Sequence, residues 1–222
     1  MKSIVFLLFA ILTNPLFAFS NNNAIEQVLD TNGNPLIPGD EYYIFPASDN
    51  PKTGGLTLNK ISDAECPVTV LQNNATRGLP VKFTLSGSNN TGNNILTNTD
   101  LEIEFTKKPN CVESSKWIVF VDDFTPQGCV GIGGPENHLG LEILNGKFLI
   151  VRHASGYVYR FGFCLDVSGD CGLLGLNTFD SREGGSRLIL TIFNSYNVVF
   201  VDVASVKSGR IMPLKGGFDA SV

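Results

Sequence analysis

The chain has 222 residues, 43% of them hydrophobic and 17% charged, with a formal net charge of -5 at pH 7. An acidic balance of this kind is unsuited to neutralising a phosphate backbone, so nucleic acid is excluded as the main partner. Only two histidines are present, and the five cysteines (Cys66, Cys111, Cys129, Cys164, Cys171) contain no C-x-x-C pair, which argues against a structural metal and leaves no cofactor indicated.

In chain order, Lys2 precedes an apolar run from Ile4 to Leu12, and a looser stretch ends at Ala18-Phe19-Ser20. Small residues at the last and third-last of these positions fit a secretory signal peptide over residues 1–20. Thr13, Asn14 and Pro15 stop the run short of the roughly 20 apolar residues that a membrane-spanning helix needs, so no membrane association is expected. Export implies an oxidising compartment, and five cysteines then mean disulfides with one thiol left over. Residues 21–206 are read as one domain. The tail 207–222, with Gly and Ser throughout, is read as a flexible or sorting extension.

Within the domain, short β-branched and aromatic runs alternate with Gly, Asn, Asp and Pro clusters, which predicts an all-β fold. The candidate strands are Glu41 to Phe45, Val68 to Leu71, Val81 to Leu85, Leu101 to Phe105, Trp117 to Val121, Leu141 to Leu144, Phe148 to Arg152, Tyr157 to Cys164, Arg187 to Thr191 and Val198 to Val203. Asn145-Gly146 and Gly184-Gly185 read as hairpin turns. Asn74-Ala75-Thr76 and Asn89-Asn90-Thr91 are N-glycosylation sequons, which place Asn74 and Asn89 on exposed loops.

Catalytic chemistry is not indicated. The chain has no G-x-S-x-G elbow, H-E-x-x-H helix or phosphate-binding glycine loop. Gly131-Ile132-Gly133-Gly134 carries Glu136 where a dinucleotide loop needs its third glycine, and is read as a turn. His138 and His153 are read as ordinary surface histidines. Asp122 and Asp123, adjacent on a strand end and therefore pointing to opposite faces, are read as solvated turn residues. Trp117 opens an apolar run and is assigned to packing.

Val28-Leu29-Asp30-Thr31-Asn32-Gly33-Asn34-Pro35-Leu36, followed after five residues by Tyr42-Tyr43-Ile44, resembles the N-terminal signature of the plant Kunitz inhibitors of the soybean trypsin inhibitor type. Cys66-Pro67-Val68-Thr69-Val70-Leu71-Gln72, Gly78-Leu79-Pro80-Val81, Asp100-Leu101-Glu102-Ile103-Glu104-Phe105, Cys111, Trp117, Tyr159-Arg160-Phe161-Gly162-Phe163-Cys164, Cys171 and Arg187-Leu188-Ile189-Leu190 follow in family order. The resemblance implies a β-trefoil of twelve strands in three pseudo-repeats, stapled by Cys66 with Cys111 and Cys164 with Cys171. Cys129 is then the odd thiol, read as buried, with intermolecular pairing as the alternative.

The resemblance also implies a secreted, monomeric protease inhibitor and not an enzyme, with a role in plant defence or in regulating endogenous proteases. Its partner would be a serine protease first, a cysteine protease or carboxypeptidase otherwise, and its site would be extracellular or cell-wall, or else vacuolar. The inhibitory loop corresponds to Ser86, Gly87, Ser88, Asn89, Asn90, Thr91, Gly92, Asn93 and Asn94, with the scissile-bond residue near Ser88 or near Thr91 depending on the side from which it is counted. This loop has no Arg or Lys for a trypsin pocket and no large aromatic or Leu for a chymotrypsin-like slot. Pro38 stands where the family's loop-bracing asparagine would be. Lys107-Lys108-Pro109-Asn110 and Asp180-Ser181-Arg182-Glu183-Gly184-Gly185 are alternative loops, and a non-inhibitory, miraculin-like storage or ligand-binding trefoil is the alternative function.

Overall fold

A computed structural model describes residues 25–48, 53–60, 65–86, 93–122, 125–153, 156–177 and 184–208. The proposed signal peptide and residues 209–222 of the proposed tail lie outside them.

The first pseudo-repeat holds β1 (Glu41–Pro46), β2 (Leu56–Asn59), β3 (Thr69–Gln72) and β4 (Val81–Leu85). The second holds β5 (Leu101–Phe105), β6 (Trp117–Asp122), β7 (Thr125–Ile132), β8 (Glu142–Leu144) and β9 (Gly146–Arg152). The third holds β10 (Tyr159–Leu165), β11 (Cys171–Asn177), β12 (Ser186–Thr191) and β13 (Val198–Asp202), followed by a short helix α1 (Val203–Lys207).

Period-2 patterning explains the strands that line the core. In β5, Leu101, Ile103 and Phe105 are buried while Glu102 and Glu104 face outward, and Lys82 of β4 lies directly opposite Glu104. Antiparallel pairing runs β1–β4–β5–β9–β10–β13 and returns from β13 to β1, which closes a six-stranded barrel with no free edge. The remaining hairpins β2–β3, β6–β7 and β11–β12 pair with one another through β3–β7, β3–β12 and β7–β12, and so cap one end. A closed barrel with a three-hairpin cap, each repeat giving two barrel strands and one hairpin, is a β-trefoil.

Phe83, Phe161 and Phe200 enter the barrel from β4, β10 and β13, and their centroids lie 5.4 to 6.4 Å apart. Each fully buried aromatic of this kind contributes roughly 1.5–3 kcal/mol by removal from water. Trp117 extends the cluster, with its ring 5.7 Å from Phe161 and 5.9 Å from Phe148, in agreement with its packing assignment.

Three strands escape the sequence reading: β2, β7 and β11. Among the described residues thirteen strands are delimited instead of twelve, because pairing breaks at Asn145, between β8 and β9. Asn145-Gly146 is not a hairpin turn, since β8 pairs with β6 whereas β9 pairs with β10 and β5. Gly146 is needed there for closeness: a Cβ would lie 2.4 Å from the Cys164 carbonyl oxygen and 2.5 Å from the Phe163 ring.

Both implied disulfides are present, Cys66–Cys111 and Cys164–Cys171. Cys129 is buried in β7 and belongs to neither bridge. His138 corrects the surface assignment: it is buried, its Nε2 donates to the Ile132 carbonyl at 2.9 Å, and its ring lies 4.3 Å from that of Phe120. Asp122 corrects the turn assignment, because its carboxylate meets the Arg187 guanidinium at 2.7 Å with the two side chains only 10% and 8% exposed. Asp123 lies outside the described residues. His153 is exposed, as read, and its ring faces the Arg160 guanidinium at 2.8 Å.

Candidate protease-binding site

The segment implied as the inhibitory loop joins β4 to β5. Of its nine positions, Ser86, Asn93 and Asn94 are described, while Gly87, Ser88, Asn89, Asn90, Thr91 and Gly92, with both placements of the scissile bond, lie outside the described residues. The structure defines the two ends from which that segment departs.

On the outgoing side, Leu85 pairs with Leu101, and the Ser86 amide donates to the Asp100 carbonyl at 3.1 Å. On the returning side, the fully buried Ile95 is held twice: its amide donates to the Leu36 carbonyl at 2.8 Å, and its carbonyl accepts from the Val28 amide at 2.9 Å. Two residues on, the Thr97 amide donates to the Glu26 carbonyl, and its hydroxyl oxygen accepts from the Glu26 amide at 2.9 Å. Asn98 adopts a left-handed φ of 56°, a conformation that asparagine tolerates better than most residues, and its amide donates to the Ile150 carbonyl. The return limb is thereby woven between the N-terminal segment and β9.

The N-terminal segment is itself fixed. The Asp30 carboxylate accepts from the amides of Asn32 and Asn34 at 2.8 Å each, and the Leu29 amide donates to the buried Tyr159 hydroxyl at 2.9 Å. Burial raises the Tyr159 pKa above its usual value, so the phenol stays protonated and available. Pro38 sits in a turn beside β4, closed by the Asp40 amide on the Ile37 carbonyl and attached by the Gly39 amide to the Phe83 carbonyl.

The two alternative loops fare differently. Lys107 and Asn110 are exposed, but the Lys108 ammonium donates to the Val112 carbonyl and the neighbouring Cys111 is tied to Cys66, so this segment is occupied in closing its own turn. In the other, Asp180, Ser181, Arg182 and Glu183 lie outside the described residues; Gly184 has a φ of +76° and its carbonyl accepts from Asn73 Nδ2. Asn74 is exposed in the turn after β3, with its side-chain Oδ1 accepting from Gln72 Nε2 at 2.8 Å. Asn89 lies outside the described residues. Among the described residues, no group of three or more His, Cys, Asp or Glu side chains is arranged to hold a metal ion, and no helix is long and apolar enough to cross a membrane.

Residues 28–202 match the legume Kunitz family model, described as trypsin and protease inhibitor. The chain is 50% identical over 199 residues to the Kunitz-type trypsin inhibitor-like 2 protein of Pisum sativum, covering 89% of each chain. It is 46% identical over 192 residues to subtilisin inhibitor CLSI-II of Canavalia lineata, covering 85% of this chain and 98% of that one. Among solved structures, a Kunitz type trypsin inhibitor from Cicer arietinum shares 52% identity with a TM-score of 0.74, over 80% of this chain and 99% of that one.

Proposed function

The chain belongs to the legume Kunitz family of trypsin and protease inhibitors, and from that premise we propose that it inhibits a serine endopeptidase through the loop between β4 and β5. The observation that carries the reading is the double clamp at Ser86 and Ile95. A substrate-like segment inhibits instead of being consumed only when both its ends are immobilised, so that little entropy is lost on docking. Here the two ends are held by main-chain bonds to β5 and to the N-terminal segment.

Specificity follows from the loop's side chains. With neither Arg nor Lys between Ser86 and Asn94, the acidic pocket of a trypsin-type enzyme would remain unpaired, and with only small polar residues there the loop favours partners with small specificity pockets. Relatives named for subtilisin and elastase inhibition support a range of targets within the family. The signal-like segment and the two disulfides support a secreted chain that acts outside the cytosol.

The test is titration of the mature protein against trypsin, chymotrypsin, elastase and subtilisin, with gel filtration of each mixture. The expected result is a stable one-to-one complex with at least one of the last three and weak inhibition of trypsin. Absence of a complex with every enzyme would overturn the reading and leave the non-inhibitory trefoil in its place.

A further inference from the structure

A second loop on the opposite end of the fold carries the exposed aromatic side chain that the β4–β5 loop lacks. Between β12 and β13 the chain runs Thr191-Ile192-Phe193-Asn194-Ser195, with Ile192 79% and Phe193 72% exposed. Scattered single apolar residues on a surface are ordinary, but two adjacent large ones at a turn are not. Val167, 96% exposed, lies in the turn closed by the Cys164–Cys171 bridge, at the same end of β11.

The loop is braced along its length. The Phe193 amide donates to the Thr191 hydroxyl oxygen at 3.0 Å, and that hydroxyl donates to the Phe193 carbonyl at 3.3 Å. Thr191 pairs with Leu173, Ser195 forms a bridge with Gly175, and the amide of the buried Tyr196 donates to the Leu174 carbonyl at 2.8 Å. The segment passes directly over Gly175, where a Cβ would stand 2.7 Å from both the Asn194 carbonyl oxygen and the Thr191 methyl. Both ends are therefore fixed to β11, and the exposed apex presents Ile192 and Phe193 beside Asn194.

The two loops cannot compete for one enzyme surface. Each step along β4–β5–β9–β10–β11–β12 is antiparallel, so β12 runs opposite to β4 and its loop leaves from the other end of the strands.

We infer that the Thr191–Ser195 loop is a second protease-binding site that lodges Phe193 in the primary pocket of a serine endopeptidase with a deep apolar slot. A rigid aromatic anchor on a braced turn is the feature that concentrates binding energy in protein interfaces, and an apolar slot is the pocket chemistry that accepts it. This inference rests on the inhibitor reading given above.

The experiment compares the mature protein, Phe193→Asp, Phe193→Arg, Thr191→Val and a variant with residues 87–92 replaced by six glycines against chymotrypsin, subtilisin and trypsin. Phe193 is exposed, so the thermal midpoints of its variants should match wild type and exclude misfolding. The expected result is at least 100-fold weaker inhibition of chymotrypsin or subtilisin by Phe193→Asp, about tenfold weaker inhibition by Thr191→Val, retention by the six-glycine variant, and new trypsin inhibition by Phe193→Arg. Inhibition that survives Phe193→Asp within threefold but is lost in the six-glycine variant would overturn this inference and leave the β4–β5 reading standing. A wild type that inhibits none of these enzymes, or a Phe193→Asp variant whose only change is the loss of self-association in sedimentation, would overturn it as well.

Discussion

Removing either member of the Arg187–Asp122 pair should destabilise the trefoil far more than an average charge substitution. The 2.7 Å contact joins the end of β6 to β12, both in the cap, and the side chains are only 8% and 10% exposed. Asp122→Ala would remove the carboxylate that meets this buried guanidinium, at a cost of about 3–5 kcal/mol. For a domain of this size, 1 kcal/mol moves the thermal midpoint by roughly 2–4 °C, so the midpoint should fall by roughly 6–20 °C. Replacing both partners by apolar residues of similar volume, Asp122→Leu with Arg187→Met, should recover most of that loss, since the pair's attraction mainly offsets its own desolvation. Urea titration of wild type, both singles and the double supplies the cycle. If Asp122→Ala costs less than about 1 kcal/mol, the pair behaves as an exposed one and the burial argument is refuted.

Three further outcomes are expected. In the chain-entropy view the Cys66–Cys111 and Cys164–Cys171 loops, with sequence separations of 45 and 7, contribute on the order of 4 and 2.5 kcal/mol, so dithiothreitol should lower the melting temperature substantially; an unchanged midpoint would refute this. Burial holds the His138 pKa below its ordinary value, against the opposing pull of its bond to the Ile132 carbonyl and of Glu136, so the folded state prefers the neutral ring. The stability this histidine confers is therefore complete above the unfolded value of about 6.5 and is lost as pH falls from there toward the depressed folded value; His138→Gln should flatten that slope in a pH series of thermal melts. The wild type should not inhibit trypsin at nanomolar concentration, whereas Asn90→Arg in deglycosylated protein should gain inhibition if the clamp at Ser86 and Ile95 presents the loop as a substrate.

The legible part of the fold was the part in which apolar residues alternate without interruption. Leu101-Glu102-Ile103-Glu104-Phe105 announces a half-buried strand, and the cysteine positions together with the family resemblance yield both bridges. Two of the three missed strands, β7 and β11, carry glycine for reasons of contact, while β2 is only four residues long. In β7, Gly131 lets the Phe120 ring and the Val68 carbonyl approach to within 3 Å of where a Cβ would stand, and in β11 Gly175 lets the 191–195 segment cross. Such residues weaken the strand signal in the sequence while serving long-range packing. Asp122 and His138 were misassigned for a related cause: their partners, Arg187 and Phe120, lie 65 and 18 residues away, and nothing local marks them. The loop clamp was equally hidden, because Val28, Leu36 and Glu26 hold Ile95 and Thr97 through main-chain atoms whose side chains leave no pattern.

That last point bears on how such a scaffold changes its target. The bonds from Val28 to Ile95, Ile95 to Leu36, Thr97 to Glu26 and Ser86 to Asp100 are all backbone to backbone, so substituting residues 87–92 removes none of them. Side chains between the clamps are free to vary with the enzyme to be met, while the cost of ordering the ends is met once by the barrel. An Asn- and Gly-rich loop without Arg or Lys is thus compatible with the same clamp that would serve a trypsin-directed loop. The loop over Gly175 obeys the same logic: its ends are set by Thr191, Ser195 and Tyr196 against β11, and the exposed side chains of Ile192, Phe193 and Asn194 remain to choose a partner.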